Sequence, residues 1–232
     1  MTVPGRTRHE GKKFEMLTDL ELPQTLNRAV LQKCWFFACA FGMTARRPSE
    51  RRRIVDVNLT DCKATNNTWL GPVLVEDVEV RNLRTGGLCI AWGAAFKRVR
   101  ISGRCGKLML TLPRDSEQEF IEDNRAFYSR VDWALDISEG EFEELELRGV
   151  PADLVRRDPE TQVVVRRLQV ERLEKVWRGL NLDGTPWVST LEQLLKCGLE
   201  DQVLVAARRR KDFAVWLAGL RRLQDAGVAD RD

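Results

Sequence analysis

The chain has few of the residues and motifs on which common enzyme chemistry depends. Its 232 residues include one histidine, His9, and no Cys-x-x-Cys pair. A Ser–His or Cys–His catalytic pair would need His9, which we expect to lie in a disordered N-terminal tail. The phosphate-binding patterns GxxxxGK[ST] and GxGxxG are also absent. We therefore expect no catalytic residue, no cofactor and no metal ion.

Long apolar runs are missing as well. The most apolar stretch, Ala29 to Met43, contains Gln32 and Lys33 and is too short to span a bilayer. Residues 1–13 are polar and basic and do not resemble a secretory signal. The six cysteines are scattered and do not form a dense disulfide framework. The sequence thus predicts a cytoplasmic protein with no membrane association.

A strong net charge is also absent, because 38 basic residues oppose 35 acidic ones for a net charge of +3. The distribution is uneven: arginines cluster at 46–53, Arg208 to Lys211 form a second cluster, and 113–150 holds twelve carboxylates against four arginines. The cluster at 46–53 has no interleaved aromatic residues, which nucleic-acid-binding surfaces use. We expect both clusters to face solvent and we expect no nucleic-acid partner.

An internal repeat is the clearest pattern that is present. Four segments share one apolar spacing, and the first three are 21 residues apart at matching positions, while the fourth follows 46 residues later. The members are Ile54-Val57-Leu59-Cys62, Val75-Val78-Val80-Leu83, Phe96-Val99-Ile101 with Cys105 one place late, and Phe142-Leu145-Leu147-Val150.

The repeat predicts strands that stack on one another. Alternation within Val57-Asn58-Leu59 and its counterparts is typical of a strand with one buried face. A recurring residue type after each turn of chain is typical of a solenoid, whereas a β-sandwich has similar alternation without a fixed period. We predict that Phe36, Val57, Val78 and Val99 form one interior column.

The first apolar run repeats a small and a large residue every five positions. Ala29, Cys34 and Cys39 are the small members, and Leu31, Phe36 and Phe41 are the large ones. In this pattern the chain resembles the pentapeptide-repeat family over about 29–106. The resemblance implies a right-handed parallel β-helix, with small residues at the corners and large ones in the centre; a looser triangular coil is the alternative. Cys34 and Cys39 are then core thiols rather than zinc ligands.

We predict three regions: an N-terminal tail and lead-in at 1–28, a β-helix at 29–150 with an acidic insertion near 113–125, and a mainly helical cap or flank at 151–232. Asp158-Pro159-Glu160 indicates a helix start, and Ser189 with Glu192 indicates a capping box before a helix that Gly198 ends. Gln202 to Ala206 favours a strand, and Asp212 to Ala226 favours an amphipathic helix closed by Gly227.

These features favour a non-enzymatic protein-binding module, for example an immunity or antitoxin-like protein that neutralises a partner. The acidic insertion would meet a basic partner protein, and exposed tryptophans would anchor it. The predicted binding surface comprises Asp115, Glu117, Glu119, Glu122, Asp123, Trp69 and Trp92.

Two alternatives remain at the level of sequence. A carbohydrate-active β-helix enzyme would use outward carboxylates such as Asp132 and Asp136, and Glu79 and Arg100 share a register on neighbouring strands. The resemblance to the pentapeptide-repeat family also implies a DNA-mimicking topoisomerase-binding protein as an alternative. The net charge of +3 argues against it, because mimicry of DNA needs a strongly negative surface.

Overall fold

A computed structural model describes residues 6–114 and 116–230, and its fold is a mostly parallel β structure with five α-helices. The strands are β1 Thr7–Glu10, β2 Lys13–Glu15, β3 Thr25–Gln32, β4 Trp35–Phe37, β5 Ala40–Phe41, β6 Arg53–Thr60, β7 Lys63–Thr65, β8 Trp69–Leu70, β9 Leu74–Arg81, β10 Arg84–Thr85, β11 Leu88–Trp92, β12 Ala95–Thr111, β13 Leu135–Asp136, β14 Gly140–Leu147, β15 Val155–Arg156, β16 Gln162–Arg166 and β17 Asp201–Val205. The helices are α1 Gln118–Tyr128, α2 Arg167–Arg172, α3 Glu174–Arg178, α4 Trp187–Lys196 and α5 Phe213–Asp225.

The strands up to β15 form two parallel sheets. The larger has the order β1-β3-β6-β9-β12-β11-β8-β5, with β13, β14 and β15 attached to it, and the smaller has the order β10-β7-β4-β2. The long strand β12 joins two halves of the large sheet, since its first part pairs with β9 and its last part with β11. The first part of β12 therefore lies in one row of parallel strands and its last part in another.

The predicted register of the first three segments is confirmed, because Val57 pairs with Val78 and Val78 with Val99. The placement of Phe36 in that column was wrong. Ala29 occupies the position beside Val57, and Phe36 lies in the smaller sheet between Phe14 and Ala64. The step from Ala29 to Val57 is 28 residues because the loop after β5 adds chain to that turn.

The predicted position of the fourth segment was also wrong. Leu135 in β13 continues the column after Val99, while Phe142 pairs with Cys105 on the other part of β12. Helix α1 interrupts the chain between β12 and β13 and lengthens this turn, so a shift of 46 residues does not correspond to the stacking step. The similar spacing of Phe142, Leu145 and Leu147 reflects a second buried strand face.

The bends between strands are stacked as regularly as the strands. Lys33, Asp61, Asn82 and Gly103 all have positive φ angles, of 54°, 55°, 56° and 68°. The Nδ2 of Asn82 donates a 2.9 Å hydrogen bond to Asp61, and its Oδ1 accepts one of 2.9 Å from the Arg104 backbone N–H. Asparagine and aspartate tolerate the left-handed conformation and bond locally, so they suit this bend.

Residues after Arg156 form a smaller α/β unit, most of whose buried side chains make up a second cluster. Strands β16 and β17 are antiparallel, and Trp177, Leu191, Leu194 and Leu204 are fully buried around them. Strand β17, helix α5 and the helix-ending glycines Gly198 and Gly227, with φ angles of 62° and 71°, confirm the predictions for those segments.

Two helix starts predicted in this region were wrong. Asp158 caps a turn, accepting from the Thr161 hydroxyl at 2.6 Å, and strand β16 follows. Helix α4 begins at Trp187, and the Ser189 hydroxyl donates to the Pro186 carbonyl at 2.8 Å instead of capping the helix. Local capping chemistry suits both tight turns and helix ends, so it did not distinguish them.

No helix within residues 6–114 and 116–230 is both long and apolar enough to cross a membrane.

Candidate functional site

Part of the acidic insertion forms helix α1, which is held firmly against the large sheet. Phe120 and Tyr128 are buried, and the Tyr128 hydroxyl accepts a 3.3 Å hydrogen bond from the Phe96 backbone N–H. Beneath the helix, the Arg51 side chain is 1% exposed and its Nη1 lies 2.9 Å from Asp123 Oδ2. Its guanidinium also lies 4.9 Å from the centre of the Phe120 ring. The helix is thus fixed by apolar, cation–π and ionic contacts.

The expectation that the arginines at 46–53 face solvent was wrong for Arg51 and Arg52. Burial lowers the pKa of Arg51, and the negative charge of Asp123 opposes that shift. Arg52 donates to the Leu22 carbonyl at 2.9 Å and pairs with Asp19 at 3.0 Å. Arg51 connects its loop to helix α1, and Arg52 connects the same loop to the segment that contains Asp19 and Leu22. Both arginines are therefore structural.

The acidic residues predicted to bind a partner have separate environments. Glu119 and Glu122 are exposed on α1. Glu117 accepts a 2.9 Å hydrogen bond from the Arg114 backbone N–H, and Asp123 is paired with Arg51. Asp115 lies outside the described residues. The helix therefore presents two glutamates to solvent on a rigid support.

The two predicted tryptophans lie on neighbouring strands. Trp69 is 39% exposed and pairs with Ala40 on one side and Ile90 on the other. Trp92 lies two residues beyond Ile90 and therefore on the same strand face. It is half-buried, and the Arg114 guanidinium lies 4.5 Å from its ring centre. Trp92 is therefore partly covered by Arg114, in the segment before α1, while the Trp69 side chain is exposed to solvent.

Much of the negative charge between residues 113 and 150 is neutralised within the chain. Of the eleven carboxylates in this stretch that the structure describes, seven have a basic side chain within 4.0 Å. They are Asp123, Asp132, Asp136, Glu141, Glu143, Glu144 and Glu146. The outward charge of this stretch is consequently much smaller than its composition suggests.

The second arginine cluster provides part of that neutralisation, although Arg208, Arg209 and Lys211 are exposed, as expected, and Arg210 is half-buried. Arg208 pairs with Asp158 at 2.7 Å, and Arg210 lies 3.5 Å from Glu144. Arg209 pairs with Glu143 at 3.1 Å and also donates to the Cys105 carbonyl at 2.9 Å. The cluster joins the C-terminal unit to strands β12 and β14.

The carboxylates considered for sugar chemistry are engaged by different cations. Asp136 pairs with Arg100 at 3.0 Å and accepts a 2.7 Å hydrogen bond from the Ser138 hydroxyl. Asp132 lies 3.9 Å from Arg98. Glu79 is opposite Arg100 in the strand register, as expected from the repeat, and is exposed. This arrangement is that of a surface row of ion pairs.

Two of the thiols, Cys62 and Cys89, lie where ionisation is disfavoured. Burial raises the pKa of Cys62 and that of Cys89 to about 11, so both stay protonated near neutral pH. The Cys62 thiol donates to the Leu31 carbonyl at 3.4 Å. Among the described residues there is no group of three or more His, Cys, Asp or Glu side chains that could hold a metal ion.

His9 does not lie in a disordered tail. It belongs to β1, and its ring meets the Phe14 ring edge-on with centroids 5.6 Å apart. The segment 1–28, expected as a tail and lead-in, contains β1 and β2 and the beginning of β3, and residues 1–5 lie outside the described residues.

The smaller sheet has an outward face, not predicted from the sequence, on which basic side chains surround an aromatic one. The pairing register aligns Lys13, Trp35, Lys63 and Arg84 in one outward row across β2, β4, β7 and β10. One feature of the sequence could have indicated this face. Trp35 and Lys63 each directly follow a cysteine that is buried, so on a strand their side chains point outward. Because the four residues are far apart in sequence, no local charge cluster revealed them.

No known protein-family model matches this chain, no curated protein matches its sequence, and no solved structure matches its fold.

Proposed function

We propose that this chain is a non-enzymatic protein-binding module of the cytoplasm, which uses the surface around α1 to bind and neutralise a basic partner protein. The observation that carries the proposal is the display of Glu119 and Glu122 on a helix whose opposite side is locked against the sheet. A pre-ordered binding element loses little conformational entropy on association. The six free cysteines favour a reducing compartment.

The scaffold in this proposal is a right-handed β-helix of the pentapeptide-repeat type. Parallel pairing at a step of 21 residues from Val57 to Val78 to Val99 supports it. So do the buried small residues Ala29 and Cys34 and the buried large residue Leu31 in the first turns. The right-handed assignment follows from the strong preference of parallel crossover connections for that hand.

In this proposal the partner contacts two kinds of exposed group, carboxylates and an indole. Glu119 and Glu122 supply negative charge, which mainly increases the association rate and discriminates against acidic proteins. Trp69 supplies an exposed indole of the kind that often dominates binding energy. Carboxylates that are already paired with arginines contribute little, because an internal cation screens them.

A charge-reversal experiment tests this proposal. Lysate proteins that bind the immobilised chain are eluted and identified, and the affinity of the basic partner is then measured for Glu119→Lys and Glu122→Lys. We expect each variant to weaken binding by roughly tenfold, which corresponds to about 1.4 kcal/mol, chiefly through slower association at low salt. Asp183→Lys, at an exposed acid of the C-terminal unit, is the matched control and should bind normally.

Equal affinity of all three variants would refute a role for α1. Absence of any stably captured basic protein would refute the partner class.

A further inference from the structure

The outward side of the smaller sheet carries a basic–aromatic face, defined here by Lys13, Trp35, Phe37, Lys63 and Arg84. One carboxylate, Glu15, lies beside Phe37 on this face and pairs with Lys13 at 2.8 Å. Lys13, Trp35, Lys63 and Arg84 are consecutive members of one row across β2, β4, β7 and β10. Strands in a sheet are about 4.8 Å apart, so the row spans roughly 14 Å. Phe37 lies two residues beyond Trp35 and shares its face.

The positive charges at one end of this face are not neutralised. Lys63 and Arg84 are exposed and directly paired in register, and no carboxylate among the described residues lies within ion-pair distance of either side chain. Like charges directly opposite each other on a sheet are destabilising. In the large sheet, by contrast, Arg98 and Arg100 each have a carboxylate partner. An anion bound between Lys63 and Arg84 would remove this repulsion.

The aromatic part of the face is held in place by contacts with neighbouring strands. Trp35 Nε1 donates a 2.6 Å hydrogen bond to the Thr65 hydroxyl on the neighbouring strand, and the indole is 36% exposed. Phe37 supports it edge-on, with ring centroids 5.6 Å apart, and Lys13 Nζ lies 4.7 Å from the indole centre. The indole is therefore held by a hydrogen bond and by neighbouring side chains while remaining partly exposed, so it can accept a stacked base.

We propose that the basic–aromatic face binds single-stranded nucleic acid, with a base stacked on Trp35 and phosphates of the adjoining nucleotides at Lys63 and Arg84. Alternation of cations with an exposed indole is the chemistry that binds single strands without sequence preference. A membrane surface fits less well, because insertion between lipids requires projecting apolar side chains and Trp35 is tethered to Thr65. An acidic peptide would bind Lys63 and Arg84 but would not require the exposed indole of Trp35.

The proposal reverses the expectation that nucleic acid is not a partner, which rested on the two arginine clusters. It concerns a surface formed by other residues than α1 and does not depend on the proposed protein-binding function. Failure of one test leaves the other unaffected.

The test is fluorescence anisotropy of a labelled oligothymidine of about 12 nucleotides titrated with the full chain at about 50 and 200 mM salt. We expect binding that weakens as salt rises. Trp35→Ala should weaken it roughly five- to hundredfold, and Trp35→Phe by much less, since base–aromatic stacking is retained. Lys63→Glu with Arg84→Glu should reduce binding at least tenfold and lower its salt dependence.

Arg221→Glu, at an exposed position of α5, is the matched control and should bind like the unchanged chain. Circular dichroism checks that each variant is folded. The proposal is overturned by absence of binding, by an equal loss in Arg221→Glu, or by an unchanged affinity in folded Trp35→Ala. Binding to anionic lipid vesicles but not to the oligonucleotide, with the same dependence on Lys63 and Arg84, would overturn it in favour of a membrane.

Discussion

Asp19 is a buried carboxylate that organises the first long loop of the molecule. It accepts hydrogen bonds from the Gly42 backbone N–H at 2.6 Å and from the Thr44 hydroxyl at 2.7 Å, and it pairs with Arg52. Burial alone would raise the pKa of Asp19, but the hydrogen bonds from Gly42 and Thr44 and the charge of Arg52 lower it below its ordinary value of 3.8. The ionised form is therefore the one that the fold stabilises.

This environment predicts an acid-sensitive contribution to stability. Because the pKa of Asp19 is lower in the folded chain than in the unfolded chain, its contribution is complete above the ordinary value of 3.8. It is lost as the pH falls through the folded value. Urea unfolding between about pH 6 and pH 2 should show that Asp19→Asn is less stable at pH 6 and has a shallower acid dependence. Asp183→Asn, an exposed control, should follow the unchanged chain; identical slopes for both variants would contradict the assignment.

At the scale of elements, the bends redirect the chain from one row of strands to the next: β3, β6 and β9 end just before a bend, whereas β12 continues through the bend at Gly103. The column of Lys33, Asp61, Asn82 and Gly103 keeps the same backbone conformation over four turns. At Gly103 an added Cβ would collide with the Asn82 side chain, which already bonds Asp61 and Arg104. A glycine is therefore required there for space as well as for its φ angle.

We predict that Gly103→Ala destabilises the chain by about 2–3 kcal/mol, through left-handed strain and loss of the Asn82 hydrogen bonds. Gly87→Ala is the matched control, because a Cβ at Gly87 meets no atom within 4 Å and its φ is not positive. Denaturant midpoints measured for both variants provide the comparison. A Gly103→Ala chain as stable as Gly87→Ala would show that the bend can adjust without cost.

The core of the described residues consists of two buried clusters that meet at β16 and β17. Val164, Val203 and Val205 belong to the cluster of the parallel strands, whereas Val163, Val165 and Leu204 belong to the cluster of the C-terminal helices. Arg209 links them, since its side chain pairs with Glu143 and bonds the Cys105 carbonyl, while its backbone N–H donates to the Phe142 carbonyl at 3.0 Å. The segment around Arg209 is thus attached to β14.

We predict that Arg209→Ala loosens this attachment. Losing the side-chain hydrogen bond and ion pair should cost about 1–3 kcal/mol. Amide hydrogen exchange should accelerate in β17 and α5 more than in β6 and β9, because the parallel strands retain their own core. Arg221→Ala, at an exposed position of α5, should leave exchange unchanged. Uniform acceleration in all strands would indicate a single cooperative unit instead.

The sequence predicted the elements whose signal is repeated along the chain. The 21-residue period identified the paired strands β6, β9 and β12, and the apolar stripe of 212–226 identified α5. The sequence did not predict how insertions change the number of residues between paired strands. For this reason Phe36 and Phe142 lie outside the expected column. Capping residues alone did not separate the turn at Asp158 from a helix start.

By itself, the sequence determined the parallel stacking of the central strands, because inward residues must match those of the turns on either side whatever the rest of the chain does. Only the tertiary structure decided which charges remain available. Ion pairing is a contact between residues distant in sequence, so the net charge of 113–150 did not indicate that Arg209 and Arg210 neutralise its glutamates. For the same reason the alignment of Trp35, Lys63 and Arg84 appears only once the strands are paired.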